Sequence, residues 1–479
     1  MKISKRIIRI INFQSFISDL FFHICLFTFA FLLLTSCETT EPPPSNQKLT
    51  LAAEDANCTE AWLNLKLDNV SLPTEIELKQ NDSAIITTNI NSNDTTLFIE
   101  NLLPSQTYTF QTCIQNPASG IKKSNKVTVT TMDTTSHNFT WETFTFGGGG
   151  NSILRDVAII NENNIWAVGE IHTEDTDKFD SNGVWVQPYN AVHWDGNTWE
   201  LKRILFYIDP FQPGAGRTVS KAISVFSFNE NDFVVSSNAQ IAFFNIEGNY
   251  VVKKMDFKWE NLFTINSIWG TSSKNFYVVG NGGNIVHYNG SSWQKIESGT
   301  EIGILDICGN DKDEIYAIGT EYNTGESILL KIENKRAEKI IESSYHADLS
   351  NLFKTELYGM LGSVWTSDNG YMIIAGHYIY NHFKNKWSYA KGVQKNYVGS
   401  GQVIHRGYIH SICGTAVNDW FITGEYGTIQ HFNGVASIQV GEPFNYQNTN
   451  DWYGSDAKNN LVCIVGQYEN KGRIHIGKK

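Results

Sequence analysis

Five histidines stand in near-identical settings: His193 in VHW, His287 in VHY, His382 in NHF, His431 in QHF and His475 in IHI. Imidazole is the commonest protein metal ligand and the side chain best placed for proton transfer near neutrality. A recurrent His set therefore raises metal or general-base chemistry. The spacing opposes it, because each His falls at the same place in a repeated unit. Equivalent places on successive units of a ring lie too far apart to share one ion. The expected role is packing and hydrogen bonding, repeated unit by unit. Cys308 and Cys413 stand where other copies carry Trp269 and Trp365. They read as small buried side chains rather than nucleophiles.

Other segments with chemical potential are weaker. TEDTDKFDSNG (173–183) is acidic and loop-like, but its spacing does not match an EF-hand. GGGG (147–150) would cradle a phosphate only before a helix, and no helical pattern follows. HExxH, GxSxG and Walker patterns do not occur. No catalytic residue, metal site or cofactor is expected.

What must position these residues is a repeat. INSIWGTSSKNFYVVGNGGNIVHYNGSSWQKI (265–296) aligns with six other stretches between residues 153 and 477. Each reads as strand, polar turn, apolar strand ending near Gly, turn, strand, turn, strand. Four strands per roughly 40 residues is the rhythm of a β-propeller blade. The final copy stops at GRIHIG (472–477) and lacks an equivalent of SSWQKI. HNFTWETFTF (137–146) supplies it, so Trp141 belongs with Trp199, Trp293 and Trp387. The expected fold is all-β, with residues 137–479 forming a seven-bladed propeller closed by its N-terminal strand. TSDNGY (366–371) resembles half of the Asp-box turn of sialidase-like propellers and is expected to be a structural turn.

Loop lengths divide the two faces. First-to-second and third-to-fourth connections are short. The long insertions, 171–190, 205–219, 342–358, 393–407 and 440–450, fall between second and third strands or between blades. In a propeller those connections emerge on one face. That face is expected to bind a partner through Trp185, Tyr189, Tyr207, Arg217, Tyr397, His405, Arg406 and Tyr446, since aromatic and Arg side chains anchor interfaces. Phe211, Tyr322, Tyr345 and His346 accompany them. The competing role is cover for the blade edges.

Residues 48–133 alternate in short strands; in EAWLNLKL, Leu63, Leu65 and Leu67 point one way. NLLPSQTYTF resembles the fibronectin type III corner, which implies a sandwich with Tyr108 as the corner residue. Cys58 and Cys113 either bridge within it or stand apart as small strand residues.

The first 36 residues differ from the rest. Lys2, Lys5, Arg6 and Arg9 precede an apolar run, FFHICLFTFAFLLL, which ends in Leu-Thr-Ser-Cys37. This resembles a bacterial lipoprotein signal (1–36), with lipid expected on Cys37, followed by an acidic, Pro-rich tether (37–47). Glu38 is not the Asp that marks inner-membrane retention, so the outer membrane is expected, on its periplasmic or cell-surface side. The chain carries −12. Four basic residues and Asp19 leave with the signal, so the remainder carries about −15, which excludes nucleic acid as a natural partner. Membrane contact is expected through the lipid alone.

Taken together, the chain resembles uncharacterised bacterial lipoproteins that join a fibronectin type III module to a propeller. Some of these carry a glucosyltransferase label, but no nucleotide-sugar motif is found here. The implied function is binding of a protein or glycan. The alternative is a carbohydrate-active enzyme, a glycosidase, lyase or glycosyltransferase-like protein, with paired carboxylates at the channel mouth.

Overall fold

The computed structural model describes residues 10–11, 46–116, 120–209, 211–245, 248–255, 264–346, 356–384, 386–389, 396–398, 401–403, 407–442 and 450–479. Among them there is no α-helix, and no helix is long and apolar enough to cross a membrane. The chain divides into two compact units, Met1–Thr134 and Thr135–Lys479.

The first unit holds two antiparallel sheets around one core. Lys48–Ala56, Glu60–Asp68 and Asp94–Glu100 form one, with the two-residue strand Ile10–Ile11 on its edge. Ser83–Ile90, Thr74–Gln80, Thr107–Asn116 and Gly120–Lys123 form the other, and Val127–Thr130 also pairs with Thr107–Phe110. The alternation of Glu60–Asp68 has its expected consequence: Leu63, Leu65 and Leu67 are buried against Ile76, Leu78 and Phe110. Tyr108 Oη accepts a hydrogen bond from Leu103 N at 2.9 Å, closing the corner that Leu-Pro opens. Cys58 and Cys113 are both buried and are not joined. Cys58 Sγ instead donates to Asp133 O.

The second unit is a β-propeller. Its innermost strands, in chain order, are Ile153–Asn161, Val225–Ser227, Ile265–Ser272, Ile304–Gly309, Leu361–Thr366, Ile409–Ala416 and Asp451–Lys458. Each begins an antiparallel meander of four strands, and side chains from every one of them line a single central cavity. The sheet that starts at Ile304 carries an additional strand, Glu356–Tyr358, in parallel. The sheet that starts at Asp451 takes its fourth strand from the other end of the unit. Thr140–Phe146 pairs antiparallel with Lys471–Lys478, setting Trp141 opposite Gly477. A side chain at Gly477 would strike the Trp141 indole, which stacks on His475 at 4.5 Å. Closure thus leaves no open sheet edge at this seam.

One registration detail recurs. On six innermost strands the residue paired just before the second-strand Gly follows a β-bulge: Asp156, Ser267, Asp306, Ser363, Ser411 and Gly454. The bulge residues themselves are Arg155, Asn266, Leu305, Gly362, His410 and Tyr453. A bulge adds one residue to a strand and re-aims its side chain. Here it repeats around the channel at the end where the innermost strands start.

Candidate functional site

The channel is braced by carboxylates and hydroxyls. Asp156 accepts from Ser224 Oγ (2.7 Å) and Val225 N (2.9 Å) on the next blade. Asp306 accepts from Ser363 Oγ (2.7 Å), Val364 N (3.0 Å) and, on the preceding blade, Ser267 Oγ (2.9 Å). Asp456 accepts from Ile159 N at 2.7 Å. Burial pushes the Asp156 carboxyl up to about 7, against the pull of Ser224 and the Val225 amide. Burial likewise raises Asp306 and Asp456. These groups stitch blade to blade. The cavity beside them, about 390 Å³, lies toward the short-loop face, with Phe228, Trp269, Cys308, Trp365, Cys413 and Lys458 in its wall. Cys308 and Trp365 occupy equivalent registers, as do Trp269 and Cys413. Burial lifts the Cys308 thiol to about 12, which suits a packing role.

The histidines divide. His193, His287 and His431 each pair across the ladder with an aromatic residue three before the Gly: Trp166, Tyr277 and Phe421. Each bonds through Nε2 to the first residue of that strand, Asn164 (3.0 Å), Asn275 (2.7 Å) or Asp419 (2.8 Å). His382 and His475 do not share this position. They lie opposite Met372 and Ile464, one register step to either side; His382 packs at a tilt on Trp387, and His475 stacks on Trp141. The five-fold equivalence expected from the VHW-like triplets is corrected to three, because short triplets do not encode the slip. No group of three His, Cys, Asp or Glu able to hold a metal occurs among the described residues. In the 173–183 loop, Asp177 bonds His172 (2.6 Å) and Asp180 accepts from Asn182 N and Val184 N (both 2.8 Å).

Of the residues expected on the elaborated face, four are brought together. Trp185 lies in a hairpin, Lys178–Phe179 against Trp185–Val186, with its ring edge-on to Phe179 at 5.2 Å. Phe179, Val184 and Trp185 are 67%, 61% and 47% exposed. Tyr207 and Arg217 face each other in the hairpin Leu205–Tyr207/Arg217–Val219, the guanidinium 4.9 Å from the ring centre. Gln187 ties the hairpins at their base by accepting from Val219 N. Tyr189 lies beneath, covered by the Arg203 guanidinium at 3.7 Å. Ile208 and Phe211 add further exposed apolar surface. Tyr397 falls in the short strand Asn396–Val398, opposite Gln402. His405, Arg406, Tyr446 and Cys37 lie outside the described residues.

A second group forms on this face, of which the sequence offered Tyr322 and Tyr345 but not His377, Tyr408, His410 or Tyr453. Tyr345, His377, Tyr408, His410 and Tyr453 form a continuous arc of rings, each 5.1–5.2 Å from the next. Tyr322 joins at Tyr408, and Tyr358 at Tyr345. Tyr322 and Tyr345 are well exposed. Glu425 accepts from Tyr408 N (2.9 Å), and Asp451 from Tyr426 N (3.4 Å). Burial raises Asp451 and Tyr453, and pushes His410 down to about 4. For the four that sequence reasoning missed, the available signal was positional: Tyr408, His410 and Tyr453 lie at the start of an innermost strand, and His377 follows the second-strand Gly376.

No protein-family model and no curated protein matches the chain. Among solved structures, one titled YCF48 bound to D1 peptide is 13% identical, with a TM-score of 0.48 over 71% of this chain and 97% of that one. The C-terminal WD40 domain of Sif2 is 12% identical, with a TM-score of 0.39 over 70% of this chain and 99% of that one. A GH74 xyloglucanase from Xanthomonas campestris is 9% identical, with a TM-score of 0.42 over 92% of this chain and 61% of that one.

Proposed function

We propose that this chain is an outer-membrane lipoprotein, anchored through Cys37, in which a fibronectin type III-like module carries a seven-bladed propeller that binds a protein or glycan partner on its elaborated face. One observation carries the binding reading: two hairpins tied at Gln187 hold Phe179, Val184, Trp185, Ile208 and Phe211 out to solvent. A contiguous exposed apolar patch of this kind, unlike singly scattered side chains, marks an interaction site. Tyr207 and Arg217 add a planar cationic contact beside them, suited to a hot spot. The fibronectin-like assignment draws on the Tyr108 corner, and the blade number on the run of four-stranded meanders.

A photo-reactive side chain installed at Trp185, in cells that make the protein, is expected to yield a discrete covalent adduct. The same probe at Lys274, in a short loop of the opposite face, should yield none. Equal labelling from both positions rejects this placement. Cys37→Ala is expected to release the protein from the membrane fraction, and incorporation of labelled fatty acid into that variant would refute the anchor.

The enzyme alternative is favoured by one feature, the presence of Glu425 and Asp451 on either side of Tyr426 near the channel mouth. Release of reducing ends from a polysaccharide, abolished by Glu425→Gln, would establish it.

A further inference from the structure

The elaborated face carries a second surface, separate in composition from the hairpin crest. From the geometry we infer that the arc Tyr345–His377–Tyr408–His410–Tyr453, ending at Arg155, is a groove for a neutral oligosaccharide. This goes beyond the partner crest and does not depend on it.

The first support is how the end of the arc is built. Arg155, His410 and Tyr453 are bulge residues on three innermost strands that are consecutive around the ring. Repeated bulges are a costly way to make a strand, because each interrupts a ladder. They recur where a side chain must be re-aimed. At other positions of the same ring the bulge residue is Asn266, Leu305 or Gly362, so the aromatic and guanidinium side chains gather on one side of the mouth.

The second support is an unmet hydrogen bond. Arg155 Nε is buried and has no partner among the described residues. A buried guanidinium N–H without an acceptor is expensive. That N–H calls for an oxygen from solvent or from a ligand, and the arc of rings beside it suits a ligand.

The chemistry of the rest selects the ligand. Asp451 and Glu425 accept hydrogen bonds at the same mouth, and both act electrostatically on Tyr453, as does Arg155. An anionic ligand meets the carboxylates and a cationic one meets Arg155. A neutral ligand that both donates and accepts satisfies all three, and sugar hydroxyls do both. The faces of exposed Tyr322 and Tyr345 offer flat apolar surface to pyranose rings, as aromatic residues with a polar tip commonly do in binding sites. The arc is longer than one sugar ring, so a chain rather than a monosaccharide fits it.

The test uses the soluble mature chain and three defined probes, cellohexaose, maltohexaose and laminarihexaose, with cellobiose, maltose and laminaribiose as short counterparts. Calorimetric titration should detect at least one hexaose, bound at least about tenfold more tightly than its disaccharide. Tyr345→Ala, at an exposed position, and Arg155→Lys should each weaken that hexaose at least about fivefold, with thermal unfolding unchanged for Tyr345→Ala. Lys274→Ala, on the other face, should leave affinity unchanged. If none of the three hexaoses binds, or if binding survives both Tyr345→Ala and Arg155→Lys, the proposal is overturned. Either result leaves the labelling experiment at Trp185 free to succeed or fail separately. Should the Trp185 probe capture a protein while no hexaose binds, the crest stands and the groove does not.

Discussion

Asp306 accepts hydrogen bonds from the third, fourth and fifth innermost strands at once, through Ser267 Oγ, its neighbour Ile307 N, Ser363 Oγ and Val364 N. Removing the carboxylate strands several buried donors, whereas losing one hydroxyl of a neutral pair costs far less. Asp306→Ala is expected to destabilise the propeller by about 2–4 kcal/mol, and Ser411→Ala, which ends the Ser411–Ser455 pair, by about 1 kcal/mol. Urea unfolding of the two variants against the parent checks the ratio. The carboxylates were visible in the sequence only as polar residues in apolar strands. The shared register of Asp156 and Asp306, one pair before Gly169 and Gly319, became clear once the bulges were placed, since each bulge shifts the alignment by one residue; Asp456 lies further along its strand, opposite Cys463.

At the scale of elements, the closing strand is held by a clasp. His431 Nε2 lies 2.8 Å from Asp419 Oδ1, and its Nδ1 lies 2.8 Å from His137 Nδ1. The carboxylate only accepts, so His431 donates from Nε2. Burial favours the neutral form of both rings, and with His431 neutral its Nδ1 accepts from His137 Nδ1–H. Lys479 Nζ and Thr415 Oγ1 also donate to Asp419. Burial pushes Asp419 up, but the bonds from His431, Lys479 and Thr415 outweigh it and hold it low. Burial lowers His137, with the neighbouring His431 adding to the effect, and burial also lowers His431. The unfolded chain therefore takes up protons first. The contribution is complete above the ordinary His value of about 6.5 and is lost as pH falls through it toward the folded-state values. Asp156 acts in the opposite sense, because its carboxyl is raised on folding and so favours the acid side. Comparing variants isolates the histidines. His137→Asn keeps a donor for His431 and cannot titrate. Its melting temperature is expected to fall less than the parent's between about pH 7.5 and about pH 5.5. Equal slopes would remove the clasp from the account.

The same element-scale logic separates packing from binding. Trp141 stacks on His475 and lies against Phe139, so Trp141→Ala should cost about 2–4 kcal/mol. Trp185 packs mainly against another exposed ring, so Trp185→Ala should change stability by no more than about 0.5 kcal/mol while abolishing partner capture. Thermal melts of the two variants decide between seam and surface.

For the whole molecule, the seam is what makes a ring from a row. The strand Thr140–Phe146 completes the sheet begun at Asp451. A chain starting at about residue 150 would expose Lys471–Lys478 as an unpaired edge. It should melt lower and less cooperatively, or associate. An unchanged calorimetric profile would show that closure contributes nothing. The propeller and the β-strands of the first unit were readable in advance because strand periodicity, turn residues and repeat length are local properties. Each repeat announces its strands whether or not its neighbours are known.

The linear chain by itself determined the all-β class, the four-strand repeat, the strand that closes the last sheet and the face on which insertions gather. These follow from period-two burial, from Gly- and Asn-rich turns and from counting. It also pointed to Trp185, Tyr189, Tyr207 and Arg217, which lie together because two consecutive long loops carry them. Only the tertiary structure decided what meets across blades. Tyr345, His377, Tyr408, His410, Tyr453 and Arg155 come from successive repeats that meet only around the closed ring, and no local pattern records their convergence. Nor could triplets such as VHW reveal that His382 and His475 are one step out of register. A one-residue slip moves a side chain to the other face of its sheet, and it is set by how strands pair in space rather than by the residues beside the histidine.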